Sequence, residues 1–119
     1  MYSDEEIALF VELVVEATDP DRIILFGSYV YGSPNEKSDL DLLVIKSGKD
    51  ITLDDEAELS AAVYYKRKQR KLRTRYDVLF RTDSQVRQSA DGGGALSDAL
   101  RNGRVVYERA NTEERRAVL

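Results

Sequence analysis

The chain has 119 residues, enough for one domain with a real core and too few for two. It is 42% apolar and 34% charged with a net charge of −4; no apolar run approaches the roughly 20 residues needed to cross a bilayer, and an acidic start (MYSDEEI) without cysteine points to the cytoplasm, away from any membrane. The lack of histidine excludes zinc–imidazole centres, Ser-His and Cys-His nucleophile pairs and the usual general base, so any catalysis must run on carboxylates, metal ions and backbone dipoles.

Ser3 with Glu6 three residues on makes a capping box, and Asp4 and Glu5 suit the positive end of a helix. Ile7, Phe10, Val11, Val14 and Ala17 recur at helical spacing until Asp19-Pro20 ends the helix, since the residue before proline avoids helical geometry. That apolar stripe needs a sheet to cover. Residues 22–26 supply the first strand, with Ile23-Ile24-Leu25-Phe26 unbroken, as in a strand buried on both faces. Gly27 lets the backbone turn tightly and approach a ligand, and Ser28 opens a short helical turn with free N–H groups. A polar loop over residues 33–38 returns the second strand beside the first, placing Asp39 near Ser28. In the strand over residues 39–46, Asp39, Asp41, Leu43 and Ile45 share one face and Leu40, Leu42 and Val44 the other.

A helix follows over residues 54–72, with Leu59, Ala62 and Val63 as its apolar contacts. Its end is densely basic: Lys66, Arg67, Lys68, Arg70, Lys71, Arg73, then Arg75. Such a run suits a polyanion or an acidic partner, and equally a solvated helix end; without glycine or aromatic interleaving, nucleic acid is not expected. Residues 1–60 carry 15 acidic and 4 basic side chains, and residues 61–119 carry 7 and 14. Either the basic half is a partner surface, or the halves neutralise each other in the fold.

The third strand covers residues 75–81, with Tyr76, Val78 and Phe80 on one face and Asp77 and Leu79 on the other. Asp77 is a lone charge in an apolar run and wants a cation, hydrogen bonds or water. Residues 82–91 read as a short helix with a loop, residues 92–94 as a flexible glycine connector, and residues 95–101 as a helix with a C-cap at Asn102-Gly103. Val105-Val106-Tyr107 makes a fourth strand. The expected fold is α+β, a small mixed sheet of about four strands with helices packed on it. One domain spans residues 1–108 and a charged tail residues 109–119.

Residues 27–41, GSYVYGSPNEKSDLD, carry the chemistry. Gly27 and Gly32 have P-loop spacing, but Ser33-Pro34 stands where Lys-Ser/Thr is required. A calcium loop fails because Leu42, Leu43 and Val44 replace oxygen ligands. Two aspartates on one strand face repel unless a cation joins them, and hard oxygen donors suit Mg²⁺.

Gly-Ser, ten residues, then Asp-x-Asp resembles the signature of the polymerase-β-like nucleotidyltransferase superfamily. The small size is similar to its minimal nucleotidyltransferase (MNT) family, over residues 5–108. The resemblance implies that Asp39 and Asp41 bridge two Mg²⁺ ions (Mn²⁺ being an alternative), that Asp77 binds one of them, and that Gly27 and Ser28 contact a triphosphate. It implies transfer of a nucleoside monophosphate from an NTP, ATP being expected, to a hydroxyl with release of pyrophosphate. Relatives often carry an arginine where this chain has Tyr29-Val30-Tyr31. MNT proteins commonly pair with a HEPN protein, a small helical ribonuclease toxin, and as antitoxin transfer AMP to one of its tyrosines. With no residues left for an acceptor domain, a partner must bring the acceptor, or the active form is a homo-oligomer. The alternative is a non-catalytic antitoxin that masks its partner.

Overall fold

The computed structural model describes residues 1–89 and 92–110. Its elements are α1 (Asp4–Thr18), β1 (Arg22–Phe26), α2 (Ser28–Tyr31), β2 (Leu40–Lys46), α3 (Leu53–Gln69), β3 (Tyr76–Thr82), α4 (Asp83–Ser89), α5 (Gly94–Asn102) and β4 (Arg104–Glu108). The four strands form one sheet in the order β3-β2-β1-β4. β1 runs antiparallel to β2 and β4, while β2 and β3 are parallel, joined by α3 as a crossover. This is the expected mixed α+β architecture. The charged tail lies outside the described residues from 111 onward, but Arg109 is pinned: its N–H donates to Asp21 O at 2.8 Å, and its guanidinium pairs with Asp19.

The sheet is covered on both faces, and strand alternation decides which side chain meets which helix. Ile23, Leu25, Leu40, Leu42, Val44 and Phe80 pack with Phe10, Leu13 and Val14 of α1 and Val63 of α3. On the opposite face Ile24, Phe26, Leu43 and Ile45 meet Val86 of α4 and Ala99 of α5. Leu42, Leu43 and Val44 are fully buried, so β2 is the centre of the molecule.

Capping sets the helix starts. Ser3 and Glu6 form the anticipated capping box on α1. Thr52 and Asp55 form a second one on α3, which escaped sequence reading because aspartate replaces the usual Glu or Gln at N3. α3 therefore begins at Leu53, and it stops at Gln69 because Lys71 turns left-handed at φ 58°. The glycine connector is shorter than expected, since Gly94 already belongs to α5.

Gly103 is the C-cap of α5, as expected, its N–H donating to Ala99 O at 2.9 Å, but its φ is −74° and the turn is not left-handed. It is glycine for lack of room. A Cβ there would stand 2.4 Å from Ile24 Cγ2 and 2.3 Å from Ala99 O, so a side chain would push α5 off β1. Gly103→Ala should therefore lower the melting temperature by an amount equivalent to about 1–3 kcal/mol, although alanine is less costly in the unfolded chain. Differential scanning calorimetry of the two proteins checks this; equal melting temperatures would contradict the close α5–β1 approach.

Candidate active site

The parallel register aligns Asp41 with Asp77 and Leu40 with Tyr76, while the antiparallel register aligns Phe26 with Asp41. Asp39, Asp41 and Asp77 therefore share the end of the sheet where β1 finishes and β2 and β3 begin. They lie on the Leu43–Ile45 face, as strand periodicity requires. Gly27 follows β1 directly and has φ +78°, a conformation that favours glycine. A Cβ on Gly27 would stand 2.1 Å from Asp41 Oδ2. The Gly-Ser turn and the Asp-x-Asp strand are thus in direct contact, and the first obstacle to a side chain at Gly27 is Asp41 itself. Ser28 is the first residue of α2.

The electrostatics follow from that crowding. Asp41 is half-buried, and its carboxyl is pushed above the ordinary 3.8 by burial first, then by repulsion from Asp77 and from Asp39. Asp77 is exposed, so it is a strand-end carboxylate rather than a buried one. Asp39 pairs with Arg75, whose Nε is 3.0 Å from Oδ1. That oxygen is buried, yet it has no hydrogen-bond partner among the described residues, so the guanidinium is close but misaligned. Among the described residues no three carboxylate, thiol or imidazole groups are drawn together into a ready metal cage. The donor set still fits a hard cation in type: mutually repelling carboxylates, one with an unsatisfied oxygen.

Two residues that sequence reading did not place belong here. Arg75 occupies the position before β3 that lies beside Asp39 once the parallel register is known; Leu40 N donates to Arg75 O at 3.0 Å. Tyr2 bridges both sides of the site. Its N–H donates to Tyr29 Oη at 2.9 Å, its Oη accepts from Arg75 N at 2.7 Å, and its ring stacks on Tyr29 at 6.0 Å. Tyr29 is thus scaffold that fixes α2, whereas Tyr31 is exposed.

The basic run is largely absorbed by the fold. Lys66 and Arg70 pair with Glu16 of α1. Arg67 donates to Thr74 O at 2.8 Å and lies over the Tyr76 ring. An apolar cavity of about 460 Å³ between α1 and β4, lined by Ile7, Val11, Val15, Val106 and Tyr107, lies apart from the carboxylates.

A strand, a Gly-Ser turn and an Asp-x-Asp strand facing a carboxylate strand define a nucleotidyltransferase core. The chain belongs to the family described as "Polymerase beta, Nucleotidyltransferase", whose model matches residues 10–112. Comparison with curated proteins gives no match. Among solved structures, a candidate nucleotidyltransferase from Sulfolobus solfataricus is similar with a TM-score of 0.58 and 18% identity, over 88% of this chain and 79% of that one. A toxin–antitoxin structure with AMP-PNP gives 0.52 and 19%, over 95% and 81%. Spectinomycin adenyltransferase from Enterococcus faecialis, with ATP and spectinomycin, gives 0.58 and 18%, over 95% of this chain but 59% of that one. At such identities the likeness is one of fold. Among the described residues no helix is long and apolar enough to cross a membrane.

Two measurements check this geometry. Gly27→Ala should cost about 1–2 kcal/mol from its positive φ alone, and more from displacing Asp41; part of the loss should return when Asp41 is also replaced by Ala. Asp41, with a raised carboxyl pKa, destabilises the fold once ionised. Its penalty is absent below the unfolded value and grows as pH rises through the folded one. Asp41→Asn should therefore melt higher than the parent at pH 7, and the gap should close towards pH 4. A gap that is constant with pH would remove the repulsion argument.

Proposed function

We propose that the chain is a metal-dependent nucleotidyltransferase of MNT type that transfers a nucleoside monophosphate, AMP from ATP, to a hydroxyl of a partner protein. The observation that carries the reading is the contact of Gly27 with Asp41, and of Asp41 in register with Asp77, on the sheet end that also holds Asp39. In this reading Asp39, Asp41 and Asp77 hold two Mg²⁺ or Mn²⁺ ions, and the Gly27-Ser28 turn takes the triphosphate. Bound ions would acidify the acceptor hydroxyl and neutralise charge on the leaving oxygens.

This chain's own residues do the rest. In this reading the exposed Asp77 carboxylate also receives the acceptor proton, since the chain has no histidine to do so. The backbone of Gly27, unobstructed by a Cβ, permits close approach of phosphate oxygens. Support for ATP comes from the fold shared with a toxin–antitoxin bound to AMP-PNP and with an adenyltransferase bound to ATP. The toxin–antitoxin likeness also supports a toxin partner, for which a HEPN protein that receives AMP is the specific proposal, with cytoplasmic residence. A second copy of the chain is the other possible provider of acceptor contacts.

The ion pair of Asp39 with Arg75 favours a second reading, an antitoxin that masks its partner with the carboxylates unused. Intact-mass spectrometry of the partner, incubated with the protein, ATP and Mg²⁺, separates the two. Transfer should add one or more AMP masses and vanish with Asp41→Asn. Tight binding with an unchanged partner mass would establish masking and end the catalytic reading.

A further inference from the structure

On one sheet face, the parallel register makes a block of two rows: Asp41 beside Asp77, and one step earlier Asp39 beside Arg75. The arginine is not an incidental surface neighbour. Its backbone is held on both sides, by Leu40 N on its carbonyl and by Tyr2 Oη on its N–H. Only its side chain, 55% exposed, is free to move. The guanidinium Nε stands 3.0 Å from the Asp39 oxygen that has no hydrogen-bond partner, near enough to neutralise charge but poorly aligned to satisfy it. A well-made Arg–carboxylate pair is a planar two-pronged fork; this one is a loose contact that a better cation can displace.

We propose that Arg75 is a built-in counter-cation for Asp39, which a divalent ion displaces, and that the released guanidinium then binds the phosphates of the incoming nucleotide. The inference rests on the metal-site reading above. While Asp39 faces Arg75, the acidic cluster tolerates the absence of metal because one of its three charges is neutralised internally. Once a divalent ion takes Asp39, the guanidinium is unpaired at the same sheet end as the Gly27 turn. Phosphate oxygens match its fork of donors. Arg75 thus opposes metal entry but favours nucleotide, so its removal should shift the two affinities in opposite directions.

The test measures Mn²⁺ binding by electron paramagnetic resonance of the free ion, and ATP binding at saturating Mn²⁺ by calorimetry. Arg75→Gln should bind Mn²⁺ about two- to fivefold more tightly, the range an exposed ion pair commands, and ATP more weakly. Arg75→Lys, which keeps the charge, should stay near the parent for Mn²⁺. In an Asp39→Asn background, Arg75→Gln should no longer change Mn²⁺ affinity. Equal or weaker Mn²⁺ binding by Arg75→Gln would overturn the proposal while leaving the metal site standing, and so would unchanged ATP affinity. No Mn²⁺ binding by parent or variant would overturn the site reading and this proposal together.

Discussion

Ionised carboxylates side by side on parallel strands repel, and the chain nevertheless aligns Asp41 with Asp77 and sets Asp39 on the same face. Nothing in folding rewards that arrangement. It survives because β2 is locked on every other side: Leu42, Leu43 and Val44 are fully buried between two helical layers. A one-residue slip would turn the entire strand over. The aspartates would then face α1 and α3, and the leucines would lose their core contacts. Packing of apolar residues thus holds a charged constellation that would not hold itself, a pattern expected where local strain serves a site.

The uneven charge along the chain has a structural use. Among the described residues, every ion pair but Arg22–Asp83 joins an acid from the first half to a base from the second. Glu16 takes Lys66 and Arg70, Glu56 takes Arg81, and Asp19 takes Arg109. Most of these pairs are exposed and each contributes little alone. Together they match α3 to α1 and to the edge strand β3. Glu56 does more than pair: it also accepts the Phe80 N–H at 2.9 Å, so a side chain from α3 supplies part of what a further strand would give.

Much of this was legible in the residues because local rules and the global fold agree. The run Arg22–Phe26, the faces of β2 and the stop at Asp19-Pro20 follow from period, branching and proline sterics. The return of β2 beside β1 was legible in the polar loop over residues 33–38, but the parallel pairing of β2 with β3 was not, and whatever depends on it was hidden. Arg75 read as the last cation of a basic run because only the parallel register sets it beside Asp39. Tyr2 carried no signal, since its partners are 27 and 73 residues away. Asp77 was visible as an anomaly in an apolar run, but its exposure depends on its place at the start of an edge strand.

The pairing of β1 with β4 joins strands more than 70 residues apart in sequence, Arg22 lying opposite Glu108 across a register shift at Ile23/Ile24. Contacts so distant in sequence close late, because most of the loop entropy must be lost first. During synthesis on the ribosome, therefore, β1 remains an open, strongly apolar edge until β4 emerges. Throughout that interval the nascent chain presents a template for unwanted strand pairing. Early engagement by a chaperone or a binding partner would be of most value during that interval.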